Sequence, residues 1–322
     1  MPMIDMPLEE LRSYRGCTPA PEDFDEYWRR ARAELDAVTP GVSIVPSGFQ
    51  SPAADCFDLT FTGVRGARVY AKLLKPKQIS GKCPAVLTFH GYKVNSGDWI
   101  DKIPYAASGF VVACMDCRGQ GGRSQDVGGV EGMTIEGHFI RGLDGPPDDM
   151  LMRHIFLDTA ELARIVMEMP DVDETRVGVF GGSQGGGLSL ACASLVPEIS
   201  RCAVYYPFLS DYKRVWELDL TDLAYSELRR YFRFFDPLHE RETEIYQKLG
   251  YVDVQNLVKW IRGRVLMTTG LMDTACPPST QFAAYNKIAA EKEMVVYPDY
   301  GHEVLHGNLD RIYRFLLEMA ED

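Results

Sequence analysis

Three short stretches carry the residue types that could do covalent chemistry, and their order along the chain says which chemistry. Ser183 stands in Gly181-Gly182-Ser183-Gln184-Gly185, directly after the apolar run Val177-Gly178-Val179-Phe180 and shortly before a small-residue stretch, 188–195. A serine boxed by glycines between a strand and a helix is the pattern of a nucleophile elbow. That turn is so tight that flanking side chains would clash, and it leaves the hydroxyl at its tip. Gly181 and Gly185 meet the need for bare flanks. A glycine-rich phosphate loop or a plain tight turn is the competing reading of the same glycines.

A serine hydroxyl is a poor nucleophile at neutral pH and needs a base that accepts its proton. In doubly wound hydrolases an acid and then a histidine follow the serine, each on a loop at the C-terminal end of a strand. Asp273, after the run 265–272, and His302, after 294–301, occupy such places. Asp299 shares the loop of His302, His306 is expected on the final helix, and His90, His138, His154 and His239 all precede the acid. The oxyanion of an acyl transfer needs backbone donors already in place. Gln184 supplies one N–H by following the nucleophile. Tyr92 supplies the second, after an apolar strand that ends in Phe89-His90-Gly91, where His90 is expected to hold the loop. The sequence has no metal-ligand spacing, nicotinamide fingerprint or Walker loop, so a hydrolase without cofactor or metal is expected.

The elements that must position these groups read as an α/β fold. Two alternating strands, 57–61 and 68–74, open the sheet antiparallel. Continuous apolar runs at 85–89, 110–115, 176–180, 202–206, 264–268 and 294–297 predict parallel strands buried on both faces. An amphipathic helix over 21–38 lies in an N-terminal helical extension, 1–40. Residues 207–258 break the alternation with helical pattern and are read as an insertion, a cap or an association surface. The whole chain, 1–322, is expected to be a single mostly parallel, doubly wound domain.

Composition excludes several classes. Hydrophobic residues make up 46% and charged residues 25% of the chain, which is ordinary for a globular protein. A formal charge of −12 disfavours a nucleic-acid partner, and no apolar run suggests a membrane span. The acidic N-terminus lacks a basic region followed by an apolar one, so a cytoplasmic location is expected. The eight cysteines then read as reduced thiols, with Cys114 and Cys117 as buried small hydrophobes, not as a redox pair or half a zinc site.

Arg118-Gly119-Gln120, Gly181-Gly182-Ser183-Gln184-Gly185 and His302-Glu303 together resemble the signature motifs of the acetyl xylan esterase and cephalosporin C deacetylase family, the seventh family of carbohydrate esterases. The opening stretches Met6-Pro7-Leu8 and Pro21-Glu22-Asp23-Phe24, Asp171-Val172-Asp173 before the elbow, and Pro277-Pro278-Ser279 after the acid are similar as well, so the resemblance covers nearly the whole chain. It implies an α/β-hydrolase fold, a Ser183, Asp273 and His302 triad, and an oxyanion hole from Tyr92 and Gln184. It also implies that Arg118, Gln120, Gly181, Gly185 and Glu303 support the active-site loops. The substrates it implies are small acetylated sugars, xylo-oligosaccharides and the acetyl ester of cephalosporin C, or other short-chain esters. A cytoplasmic homohexamer with active sites facing an inner chamber is implied too, with residues 207–258 in its interface. A broad carboxylesterase, a prolyl-oligopeptidase-like peptidase and a non-catalytic hydrolase homologue remain alternatives on the same fold.

The family pattern implies an isoleucine or valine two residues after the acid and a Pro-Tyr pair in the insertion, near the acyl pocket. This chain has Ala275 and Asp222-Leu223-Ala224-Tyr225 there, so Tyr92, Leu223 and Ala275 are its acyl-pocket candidates. Each missing methylene leaves space worth about 1 kcal/mol. Propionyl and butyryl esters are therefore expected to be accepted better than by a typical member. Rates on p-nitrophenyl acetate, propionate and butyrate check this, and a steep fall from acetyl to butyryl would refute it.

Overall fold

The computed structural model describes residues 4–78, 81–127, 138–220 and 224–321. Its centre is a sheet of nine strands: β1 Ser43–Pro46, β2 Ala54–Thr62, β3 Arg68–Pro76, β4 Cys83–Phe89, β5 Val111–Met115, β6 Val172–Gly182, β7 Arg201–Tyr205, β8 Arg264–Gly270 and β9 Lys292–Tyr297. Their order in space is β1-β2-β3-β5-β4-β6-β7-β8-β9. Strands β1, β2 and β3 are antiparallel, and β3 meets β5 antiparallel with Ala71 opposite Met115. From β5 through β9 every pairing is parallel. The expected fold class therefore holds, an antiparallel start leading into a parallel, doubly wound sheet.

The burial follows from that order. All five residues of β5 are buried, as a strand covered on both faces requires, while β2 alternates because its outer face is less covered. Helices Leu151–Met167 and Gln184–Leu195 cover one face, and the segment Ile103–Ala107 with helix Asn308–Glu321 covers the other. Trp28, fully buried on the N-terminal helix Phe24–Asp36, packs on Phe156 at 6.1 Å and donates its indole N–H to the Tyr251 carbonyl. Between residues 207 and 258 lie helices Tyr212–Glu217, Ser226–Phe235, Glu242–Tyr251 and Val254–Leu257. Among the described residues no helix is long and apolar enough to cross a membrane.

Several elements differ from their sequence-based bounds. The edge strand β1 was not expected, since its four residues are all exposed and show no alternation. Strand β6 starts at Val172, ahead of the apolar run, because Cys83 pairs there before the register shifts towards Ala85. The helix after the elbow starts at Gln184, where glycines hide the helical pattern. His306 sits in the turn before the last helix, not on it.

The N-terminal segment is fastened to the rest by a buried carboxyl pair. Asp211 accepts the backbone N–H groups of Cys17 and Thr18 and the Tyr14 hydroxyl, at 2.9, 2.8 and 2.7 Å. Asp253 accepts the Asp211 N–H at 2.9 Å and caps Val254–Leu257 through the Gln255 N–H at 3.1 Å. Burial, and after it the charge of Asp211, pushes the Asp253 carboxyl up to about 7. The folded chain thus holds this proton at pH values where an unfolded aspartate, near 3.9, has lost it. Stability contributed by the group is greatest at low pH and falls as pH rises from about 4 through about 7. Asp253→Asn, which keeps one acceptor oxygen, is expected to flatten that slope by an amount on the order of a few kcal/mol. Urea unfolding midpoints of both proteins across this range test it, and parallel profiles would contradict it.

Candidate active site

Strand β6 runs straight into helix Gln184–Leu195, and the junction is Ser183 at φ 55°, ψ −123°. A side chain in this left-handed region costs roughly 1–3 kcal/mol and persists only where its surroundings impose it. Here the imposition is backbone: the Ser183 N–H donates to the Tyr205 carbonyl, and the Ser183 carbonyl accepts from Phe208 and Gly187 at 2.9 and 3.1 Å. The bare flanks are needed for close approach. A Cβ on Gly181 would lie 2.5 Å from the Gly185 carbonyl carbon, and one on Gly185 would lie 2.0 Å from the Phe89 carbonyl oxygen at the end of β4.

The structure brings the other two expected partners to the same hydroxyl. Asp273 follows β8 and is fully buried; its Oδ1 accepts the Ala275 and Cys276 N–H groups at 2.9 and 2.8 Å. Its Oδ2 lies 2.9 Å from His302 Nδ1, and His302 Nε2 lies 3.1 Å from Ser183 Oγ. With Nδ1–H donated to the carboxylate, Nε2 is left as the acceptor facing the serine. Such a chain can remove the hydroxyl proton during attack and hold the resulting imidazolium against a carboxylate. The Tyr206 ring packs on His302 with centroids 4.3 Å apart, a contact that sequence reasoning missed because a tyrosine after a strand carries no motif.

The two expected oxyanion donors sit on loops that are tied together. Gln184 is fully buried and its side-chain amide pairs head to head with that of Gln120, at 2.7 and 3.1 Å. Gln120 Oε1 also accepts the Lys93 N–H at 2.8 Å, next to Tyr92. Neither the Tyr92 nor the Gln184 backbone N–H donates to a carbonyl among the described residues. His90 holds the loop, with Nδ1 2.7 Å from the Gly91 carbonyl and Nε2 accepting the Cys117 N–H at 3.0 Å. Burial lowers its pKa, which keeps the ring neutral.

Tyr92 itself is anchored by a residue that the sequence did not reveal. Its hydroxyl donates to Glu227, which is fully buried on helix Ser226–Phe235 and also accepts the Phe139 N–H at 3.2 Å. Burial, and then the Glu227 charge, raises the tyrosine pKa. A glutamate on an amphipathic helix gives no sequence signal for this role.

The remaining expected residues fall into place as follows. Arg118 turns away from the triad into a bidentate pair with Asp158, at 2.5 and 2.6 Å, both groups fully buried. Glu303 is exposed and accepts the Gly301 N–H at 2.9 Å, clasping the turn that carries His302. Ala275 is 6% exposed and its N–H is held by Asp273, so its position is set by the acid. Leu223 lies outside the described residues. Among the described residues no three His, Cys, Asp or Glu side chains group as metal ligands.

Comparison with known proteins places this geometry in a family. The acetyl xylan esterase (AXE1) family model matches residues 1–319. The structure is similar to acetyl xylan esterase 1 from Thermoanaerobacterium sp. JW/SL YS485, with 62% identity over 98% of this chain and 99% of that one and a TM-score of 0.96. An acetyl xylan esterase from Paenibacillus sp. R4 is 32% identical over 97% of this chain and 99% of that one, with a TM-score of 0.92. The acetyl esterase Axe7A of Xylanibacter ruminicola is 31% identical over 300 residues, 91% of this chain; the match spans 65% of that curated relative's length.

The amide pair yields a prediction. Gln120→Ala removes the clamp between Gln184 and Lys93 without touching the triad, so kcat is expected to fall roughly tenfold to a hundredfold with KM little changed. Steady-state kinetics on p-nitrophenyl acetate measure the split; a change confined to KM would argue against the role.

Proposed function

Because the chain belongs to the acetyl xylan esterase family, a family of carboxylic ester hydrolases, we propose that it removes O-acetyl groups from small acetylated carbohydrates, xylo-oligosaccharides above all. The observation that carries this reading is the unbroken chain from Asp273 through His302 to Ser183, at 2.9 and 3.1 Å, on a strained elbow.

Ser183 Oγ attacks the acetyl carbonyl carbon while His302 Nε2 takes its proton, and Asp273 holds the imidazolium that forms. The carbonyl oxygen becomes an oxyanion facing the Tyr92 and Gln184 N–H groups. The intermediate collapses to an acetyl-serine as its bond to the sugar oxygen breaks and His302 gives the proton to that departing oxygen, releasing the sugar hydroxyl. Water, deprotonated by the same nitrogen, attacks the acyl carbon, and acetate leaves as Ser183 recovers its proton. The alcohol side takes part only as a leaving group, which supports acceptance of varied alcohols, including the acetylated hydroxymethyl group of cephalosporin C.

Two further readings rest on the same resemblance. The protein assembles as a homohexamer, with the helices between 207 and 258 at the interfaces. It works in the cytoplasm, in keeping with eight unpaired cysteines, seven of them buried.

Acetate release from fully acetylated xylobiose, run beside p-nitrophenyl acetate, tests the proposal. Wild-type protein is expected to deacetylate both, and Ser183→Ala to lose on the order of 10⁴-fold or more in kcat while keeping its fold. Turnover of the nitrophenyl ester alone would keep the mechanism and reject the carbohydrate; unchanged turnover in the variant would reject the nucleophile.

A further inference from the structure

On the sheet face opposite helix Gln184–Leu195 lies a cavity of about 490 Å³ that the chemistry above does not use. It opens between the segment 100–107 and helix Asn308–Glu321, and its size is within the range of small-molecule sites. Four aromatic rings line it: Tyr105, Phe180, Tyr205 and Tyr313. Tyr105 stands 5.1 Å from Phe180 and 5.4 Å from Tyr313, so these three rings form one continuous wall.

The cavity is polar at defined points. Tyr105 lines the cavity, and its hydroxyl makes no hydrogen bond to protein among the described residues, nor is it one of their fully buried unpartnered atoms, so it is open to the cavity. The Tyr205 hydroxyl makes no such bond either, whereas Tyr313 is bonded to Ser108. Burial, followed by the neighbouring Tyr205 and Tyr313 hydroxyls, raises the Tyr105 pKa. A hydroxyl that reaches the cavity can exchange its water for a ligand hydroxyl. At the rim stand the carboxylates of Asp101 and Asp310 against the single ammonium of Lys102, 3.6 Å from Asp101. That balance disfavours an anion, acetate included.

An aromatic wall with hydroxyls, closed to anions, matches a ring that has an apolar C–H face and neutral hydroxyls at its edge. The wall is also contiguous with the triad. A Cβ on Gly182 would lie 2.1 Å from the Tyr205 ring, Tyr205 and Tyr206 are 4.7 Å apart, and Tyr206 packs on His302. The geometry points to a binding site for a neutral pyranose unit in this cavity, one aromatic layer from the triad. The choice of a xylosyl unit as its occupant rests on the carbohydrate reading above; the cavity and its unpartnered hydroxyls do not.

Titration of the full-length protein with unacetylated xylobiose, followed by calorimetry, tests this without any turnover. Saturable binding is expected. The Tyr105→Phe, Tyr205→Phe double variant keeps the rings and drops only the hydroxyls, and is expected to bind about tenfold or more weakly. Leu309→Trp, an exposed lining residue that would plug the mouth, is expected to abolish binding; it decides the matter should the double variant melt early. No saturable binding would overturn the site, as would binding unaffected by either change, which would put the sugar at the triad. Binding of phenol in place of xylobiose would reduce it to an apolar void. Acetate release from acetylated xylobiose, measured in parallel, separates the two readings: release without xylobiose binding rejects the cavity site alone, and binding without release rejects the esterase reading alone.

Discussion

The approach of helix Gln184–Leu195 to the end of β4 is the contact on which the rest depends. Gly185 lies so close to the Phe89 carbonyl that any side chain would overlap it, which leaves the turn at Ser183 no room for a side chain on that flank. Because β4 and β6 are adjacent parallel strands, with Phe89 opposite Gly181, the same contact sets Ser183 beside the loop that leaves β4. The turn at Ser183 and the loop that carries Tyr92 are thus brought together at one packing contact. The strain at Ser183, of roughly 1–3 kcal/mol, is small against the burial of the helix that follows it.

The loops around that contact are held by amides and buried charges. Gln120 and Gln184 satisfy one another and leave an oxygen for the Lys93 N–H, so three loops share one hydrogen-bonded unit. Arg118, two residues away, sends its guanidinium to Asp158 and pins the chain after β5 to helix Leu151–Met167. Removing one partner of such a pair leaves a buried charge and typically costs 3–5 kcal/mol. Adjacent residues therefore divide the work, with one holding the loop to the core and the other holding it to the nucleophile.

The helices between 207 and 258 are part of the site's frame. Glu227 reaches the Tyr92 hydroxyl, Tyr225 and Phe208 close an aromatic group with Phe139, and Asp211, its N–H held by Asp253, ties this segment to residues 14–18. Residues 14–18, the helices between 207 and 258 and the Tyr92 loop are thereby one hydrogen-bonded body. Asp253 makes that body sensitive to pH, since burial disfavours its charged form.

By itself the sequence determined the parallel core, the elbow at Ser183, and the places of Asp273 and His302, because each depends on local chain geometry: apolar runs for buried strands, glycines for a tight turn, and loops that follow strands in a set order. The resemblance carried by its motifs implied that Gln120 and Arg118 are supports, without saying that they serve different partners. Only the tertiary structure decided that Glu227 holds Tyr92 across 135 residues, that Tyr206 backs His302, that Asp211 and Asp253 meet, and that three tyrosines face one cavity. Those contacts join residues far apart in the chain whose types, a glutamate on a helix or a tyrosine beside a strand, are ordinary in their local surroundings. What makes them consequential is burial, and burial is a property of the folded surface, not of any short stretch of sequence.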